Sequence, residues 1–296
     1  MRKWDCVLAS VRSSFAYGGY RNSMKLADFL PVVLGTGFTF FMTVLGAAMV
    51  FLFGRQMKQS LLKCFMGFAG GVMVAASVWS LLLPAIEEAA AQGKSGVIPA
   101  GGGFLFGAVF FLAVDFVLQK LHAQKMEKMR AMEGAGGKQH LSKKMTMLFL
   151  AVTLHNIPEG MAVGMAFAMV AQGSESASVT MVSAIALAVG IGIQNFPEGA
   201  AIALPLRQEN ISRGKAFFYG ALSGFVEPVA GILTVLIAGS VKAVLPWMLS
   251  FAAGAMIYVV VEELIPEAHV ESGVKIGTIG ALVGFLAMMV LDVALG

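Results

Sequence analysis

The amino-acid sequence predicts an all-α integral membrane protein with eight transmembrane helices. Composition, the number of apolar runs and the scarcity of charge point to it. Of 296 residues, 58% are hydrophobic and 13% charged, with a mean hydropathy of +0.81. Soluble domains carry roughly 25% charged and about 45–50% apolar residues, so the apolar excess calls for a bilayer as solvent. A spanning helix takes about 20 apolar residues; eight would use roughly 160 to 200 positions and leave about 100 for loops and tails. The formal charge of +4 does not indicate nucleic acid, because the bases lie between apolar runs instead of forming one face. Cys6 and Cys64 are the only cysteines, one in the tail and one in a span, so neither a disulfide framework nor a thiolate zinc site is implied.

The apolar runs place spans near 29–53, 61–88, 101–121, 145–171, 178–206, 214–240, 243–266 and 273–295. Residues 1–28 lack the apolar core and small-residue cleavage site of a signal peptide and read as a tail; the transmembrane domain occupies 29–296. The one substantial loop, 122–144, carries six Lys and Arg around Gly134-Ala-Gly-Gly137. With the N-terminus outside, 14 of the 21 Lys and Arg fall on the inner side, and 5 of the other 7 lie in the tail. Short cytoplasmic loops hold the basic excess, so both termini are expected outside. Small-xxx-small pairs at Gly103 and Gly107, Gly160 and Gly164, Gly220 and Gly224, and Gly280 and Gly284 predict close helix packing.

Charge in the middle of a hydrocarbon slab costs at least about 2.5–3.5 kcal/mol per group, so its positions are informative. Span 4 holds His155-Asn-Ile-Pro-Glu-Gly160, and span 5 repeats the pattern 39 residues later as Gln194-Asn-Phe-Pro-Glu-Gly199. His155 and Glu159 lie four apart, as do Gln194 and Glu198, which puts each pair on one helix face. Asn156 and Asn195 sit at the edge of that face. Pro158 and Pro197 free the carbonyls four residues earlier and predict bends. The motifs lie at similar depth on antiparallel helices, so they face each other across an approximate two-fold axis in the membrane plane. Inverted repeats with midplane sites at broken helices are a transporter design. Span 6 adds Glu227-Pro228 at the same level.

Three carboxylates at that depth would be protonated or would face a cation or a water-filled cavity, and one or two divalent ions would balance them. His155, Glu159, Glu198 and Glu227, with amide oxygens from Asn156, Gln194 and Asn195, form a mixed nitrogen and oxygen donor set. It suits zinc and neighbouring first-row ions better than calcium or magnesium.

At these residues the sequence resembles the ZIP family of divalent metal transporters, in particular its GufA-like branch. HNIPEG in span 4, QNFPEGAAIALPLR in span 5 and GFVEP in span 6 stand in the family's order, and the likeness covers about 60 to 296. The resemblance implies eight helices arranged 3+2+3, transport into the cytoplasm, an inner-membrane location in bacterial members, and frequent dimers. Its site positions fall on the seven residues above and, through GFAGGVMVAAS, on Met73; a thioether would tilt preference toward zinc or cadmium. The same match puts Ser80, Glu87 and Asp292 at an acidic entrance, and Asp115, His122, Glu262, Glu263 and His269 at a cytoplasmic exit. Two departures stand out. Asn195 takes the place of an aspartate that supports a second metal in some relatives. Beyond His122 at its first position, the inner loop holds only His140, not a histidine-rich stretch.

The expected function is therefore a transporter moving zinc, or a similar ion among Cd, Fe, Mn and Co, by alternating access. Its expected partners are the ion, lipid and a second copy of the chain, with no resident cofactor. An intramembrane metalloenzyme is a rival, since zinc with an open position activates water; H-E-x-x-H is lacking, and turnover without ion flux would single it out. A passive channel would show flux that fails to saturate.

Overall fold

Hydrocarbon offers backbone N–H and C=O groups no partner, so an apolar run of spanning length closes its hydrogen bonds within a helix. In the computed structural model of the chain, every regular element among the described residues, 26–52, 59–132, 143–171, 180–209, 211–238, 242–269 and 275–295, is helical. Helix α1 is Leu26–Leu52. Helix α2 runs as Gln59–Ala76, a π-helical stretch Ser77–Leu82, and Leu83–Ala91. Helices α3, Val97–Met132, α4, Lys143–Ala171, and α5, Met181–Gln208, follow. Helix α6 has two halves, Arg213–Gly224 and Val226–Ala238. Helix α7 runs as Leu245–Val259, a second π-helical stretch Val260–Leu264, and Ile265–His269, and α8 is Ile276–Leu295.

Seven of these are long and apolar enough to cross a bilayer; α4 is not among them, because its middle spends hydropathy on His155, Asn156 and Glu159. Three differences from the sequence expectation have local causes. Helix α3 continues through Met132, eleven residues past the expected span end, because residues 122–132 are mostly Gln, Lys, Met, Glu and Ala, good helix formers in water. Residues 133–142 of the expected loop, with His140, and the tail through residue 25 lie outside the described residues. Helices α4 and α5 continue through Pro158 and Pro197. The interruption falls instead at Phe225, where Pro228 lacks the N–H that the Gly224 carbonyl needs; the Phe225 N–H closes a tighter bond of 3.2 Å to the Leu222 carbonyl.

The helices sort into two groups. Helix α1 packs on α5 and α6, and α4 on α6; α2 packs on α8, and α3 on α7. Laying α1–α3 on α6–α8 and α4 on α5 turns the pair α1/α5 into α6/α4 and α2/α8 into α7/α3. The pairings thus have the symmetry of an inverted repeat. Glycines set the spacing: a Cβ on Gly160 would meet the Glu227 carbonyl oxygen at 2.3 Å, and one on Gly199 the Thr43 carbonyl oxygen at 2.1 Å. The last residue of each repeated motif is thus where α4 touches α6 and α5 touches α1.

Candidate metal site

The two motifs meet in the interior of the first group. His155, Asn156, Glu159, Gln194, Asn195, Glu198 and Glu227 are all buried, and the three carboxylates lie within electrostatic reach of one another. The amides connect them. Gln194 Nε2 donates to Glu159 Oε1 at 2.7 Å, and Asn195 Nδ2 to Glu227 Oε2 at 2.8 Å. Asn195 Nδ2 also reaches the Thr39 carbonyl at 3.4 Å, and Asn156 Nδ2 donates to the Ser223 carbonyl at 2.9 Å, beside the break in α6. Each amide nitrogen is tied to an acceptor, which fixes the orientation of the group and leaves its oxygen over.

Among the described residues, seven buried side-chain polar atoms have no hydrogen-bond partner, and all seven are oxygens. Six belong to the motifs: one each on Asn156, Glu159, Gln194 and Asn195, and both oxygens of Glu198. Leaving a buried acceptor unsatisfied costs about 1–3 kcal/mol, more when it is charged. A set composed only of acceptors calls for a cation or donors brought by a ligand. The donor chemistry fits a borderline divalent ion such as zinc, although no trio of His, Cys, Asp or Glu among the described residues is drawn close enough to form a ready metal cluster. Glu227 stands apart, since both its oxygens accept hydrogen bonds: Oε2 from Asn195, and Oε1 from Thr43 Oγ1 at 3.2 Å.

Met73 is fully buried in the main apolar cluster. At one end of the bundle, Ser80, Glu87 and Asp292 line a single cavity of about 180 Å³ with Trp79 and Ser183. Ser80 Oγ donates to Asp292 Oδ1 at 2.7 Å, while Asp292 Oδ2, the seventh unpartnered oxygen, stays buried.

Among the described residues, three of those expected at the exit, Asp115, Glu262 and Glu263, lie within electrostatic reach of Tyr258. Glu263 is bonded to the central motif: its Oε1 lies 2.8 Å from His155 Nε2, which links α7 to α4. Asp115 accepts from Tyr258 Oη at 3.2 Å and from Gln119 Nε2 at 2.8 Å. Glu262 is exposed. His269 is spoken for at both ring nitrogens, by the Ile265 carbonyl at 2.9 Å and the Thr278 hydroxyl at 3.1 Å. The side chain of His122 lies outside the described residues. Sequence reasoning missed Thr39, Thr43 and Tyr258. It also missed the π turns that end before Leu83-Pro84 and Ile265-Pro266, where the N–H groups of Leu83 and Ile265 reach back five residues to Val78 and Val260. The paired apolar-Pro steps were the available signal.

This geometry joins a close match to known proteins. The family model of the ZIP zinc transporters matches residues 29–292. The chain belongs to the ZIP family. Zinc transporter ZIP11 of Homo sapiens is 37% identical over an alignment covering 89% of this chain and 97% of that protein. Zinc transporter GufA of Myxococcus xanthus is 38% identical, covering 74% and 81%, and zinc transporter ZIPB of Bordetella bronchiseptica 35%, covering 89% and 81%. The ZIP resemblance read from the three motifs and its GufA-like branch agree with these matches, and the ZIP family is one of transporters, not enzymes.

Proposed function

We propose that this ZIP protein carries zinc, and related ions such as Cd²⁺, Fe²⁺, Mn²⁺ and Co²⁺, inward across a bacterial inner membrane with both termini outside. The observation that carries the reading is the set of six buried, unpartnered acceptor oxygens on the two repeated motifs. Glu198 and Glu159 supply the charged ligands, the amide oxygens of Asn156, Gln194 and Asn195 fill out the shell, and His155 joins when it leaves Glu263. Glu227 adds charge to the site. Met73 supplies a thioether from α2.

Ser80, Glu87 and Asp292 collect the ion on the outer side, where the cavity and the buried Asp292 oxygen favour a cation. Asp115, Glu262 and Glu263, with His122 and His269, release it on the inner side. One helix group moves against the other, so the site opens to each side in turn. The helices α3 and α8, little buried within one chain, face lipid or a second copy.

Zinc uptake by purified protein in liposomes tests the reading. Glu159→Ala and His155→Ala are expected to abolish uptake while the protein still inserts; undiminished uptake refutes the site.

A further inference from the structure

One carboxylate of the site is treated differently from the other two, and the difference originates in a helix that carries no ionisable side chain at that depth. Helix α1 presents Thr36, Thr39 and Thr43 at helical spacing, all fully buried. Thr36 and Thr39 have backbone carbonyls of their own helix as hydroxyl acceptors, as buried threonines in helices do, and the Thr39 hydroxyl also lies within hydrogen-bonding reach of Glu227. The single hydroxyl hydrogen of Thr43 has two acceptors in reach, the Thr39 carbonyl at 3.3 Å and, across on α6, Glu227 Oε1 at 3.2 Å, and the charged one is the stronger.

The position is set by packing. A Cβ on Gly224 would meet the Thr43 side chain at 2.8–2.9 Å, and one on Gly199 its carbonyl oxygen at 2.1 Å, so the backbones of α5 and α6 close on Thr43 from two directions. The inverted repeat gives the same answer. Gly160 of the first motif abuts Glu227, and Gly199 of the second abuts Thr43, so Thr43 occupies in α1 the position that Glu227 occupies in α6.

Resting on the metal-site reading above, we propose that Thr43 is a positioning residue of that site, acting through Glu227 and Asn195. Thr43 and Asn195 engage the two oxygens of Glu227, with the Thr39 hydroxyl also in reach of it, so this carboxylate serves as a clamp. Asn195 gives one amide hydrogen to Glu227 and the other to the Thr39 carbonyl, and its oxygen is left fixed and unpartnered for the ion. Loss of the Thr43 hydroxyl frees Glu227 to swing, and the oxygen of Asn195 swings with it.

The test is zinc uptake in proteoliposomes by Thr43→Val, which keeps the shape and removes the donor, and Thr43→Ser, which keeps the donor. Thr43→Val is expected to raise KM about tenfold, the low end for a hydrogen bond to a charged group, with Vmax within about twofold. Thr43→Ser is expected to restore KM. Zinc affinity of the purified protein, read by competition with a chromophoric chelator, completes a double-mutant cycle: in a Glu227→Ala background, Thr43→Val adds nothing. An unchanged KM in Thr43→Val overturns the proposal. So does a Thr43→Ser as impaired as Thr43→Val, or an undiminished Thr43→Val effect without Glu227. If Thr43→Val does not fold, Thr43→Ala, which also removes the hydroxyl, takes its place in the same cycle with Glu227→Ala, with the same expected and overturning outcomes. Glu198→Ala runs alongside: normal uptake by that variant removes the metal-site reading itself, whereas its loss beside an unaltered Thr43→Val removes only the role of Thr43.

Discussion

The motif glycines make a prediction that separates stability from transport. In Gly160→Ala the new methyl carbon would lie 2.3 Å from the Glu227 carbonyl oxygen and 2.7 Å from its Cα. Ordinary contact begins at 3.4 Å, so α4 and α6 must part by about 1 Å at the level of the carboxylates, and backbone cannot step aside as a side chain can. Overpacking of this kind costs about 1–3 kcal/mol, and the better helix propensity of alanine returns about 0.8–1.0 kcal/mol. Net stability therefore falls by at most about 2 kcal/mol. Transport should fall further, because the displacement separates Glu159 on α4 from Glu227 and Asn195, and a misplacement of about 1 Å in a tuned site can cost roughly 10²-fold. Gly37→Ala is the control: a Cβ there has nothing within 4 Å. The assays are thermal unfolding by fluorescence-detected size exclusion and zinc uptake in liposomes. Gly160→Ala should melt no more than a few degrees low yet lose ten- to hundredfold in uptake, and Gly37→Ala should match the parent in both. Full uptake by Gly160→Ala would refute the claim that helix spacing at the motifs sets the site.

At the outer cavity, Asp292→Asn should raise the KM for zinc a fewfold with little change in Vmax, since it weakens capture without touching the central ligands; a change confined to Vmax would contradict that. Glu263→Gln replaces a charged partner of His155, so zinc should bind the centre more tightly, by roughly the tenfold that one hydrogen bond of about 1.4 kcal/mol represents; weaker binding in chelator competition would argue that Glu263 is itself a ligand. Tyr258→Phe leaves Asp115 with Gln119 alone and should cost about 1 kcal/mol in thermal unfolding, with KM unaltered.

What the sequence made legible follows from cost. Ionisable and amide groups at bilayer depth are expensive, so the two six-residue motifs and Glu227-Pro228 announced themselves, and with them the repeat and its symmetry. Threonine is cheap in a helix, because its hydroxyl can bond back to its own backbone, so Thr39 and Thr43 gave no signal until α1 was seen packed on α5 and α6. The bond between Glu263 and His155 was hidden for a different reason. Glu263 lies within the π turn at Val260–Leu264, where the register departs from about 3.6 residues per turn, so regular helical spacing did not align it with His155 on α4. Proline alone also proved a poor guide to where a helix breaks: Pro158 and Pro197 are accommodated, while Pro228 follows Gly224, whose low helix propensity lowers the cost of interruption there.

The glycine contacts also bear on how the site could reach both faces. Backbone-to-backbone approaches lie within a group: Gly46 and Gly199 join α1 to α5, Gly160 and Gly164 join α4 to α6, Gly67, Gly71, Gly280 and Gly284 join α2 to α8, and Gly107 and Gly254 join α3 to α7. Across the boundary the close approach is of another kind, Gly190 of α5 against the Sδ of Met288 on α8, a flexible and polarisable side chain. Interlocked backbones resist sliding, whereas a methionine can re-pack as it moves. A polar link across the same boundary among the described residues is the His155–Glu263 pair, which an ion claiming His155 would break. Ion binding and release of the two groups from each other would then be one event, and the energy that loosens the boundary would come from the ligand that needs to cross it.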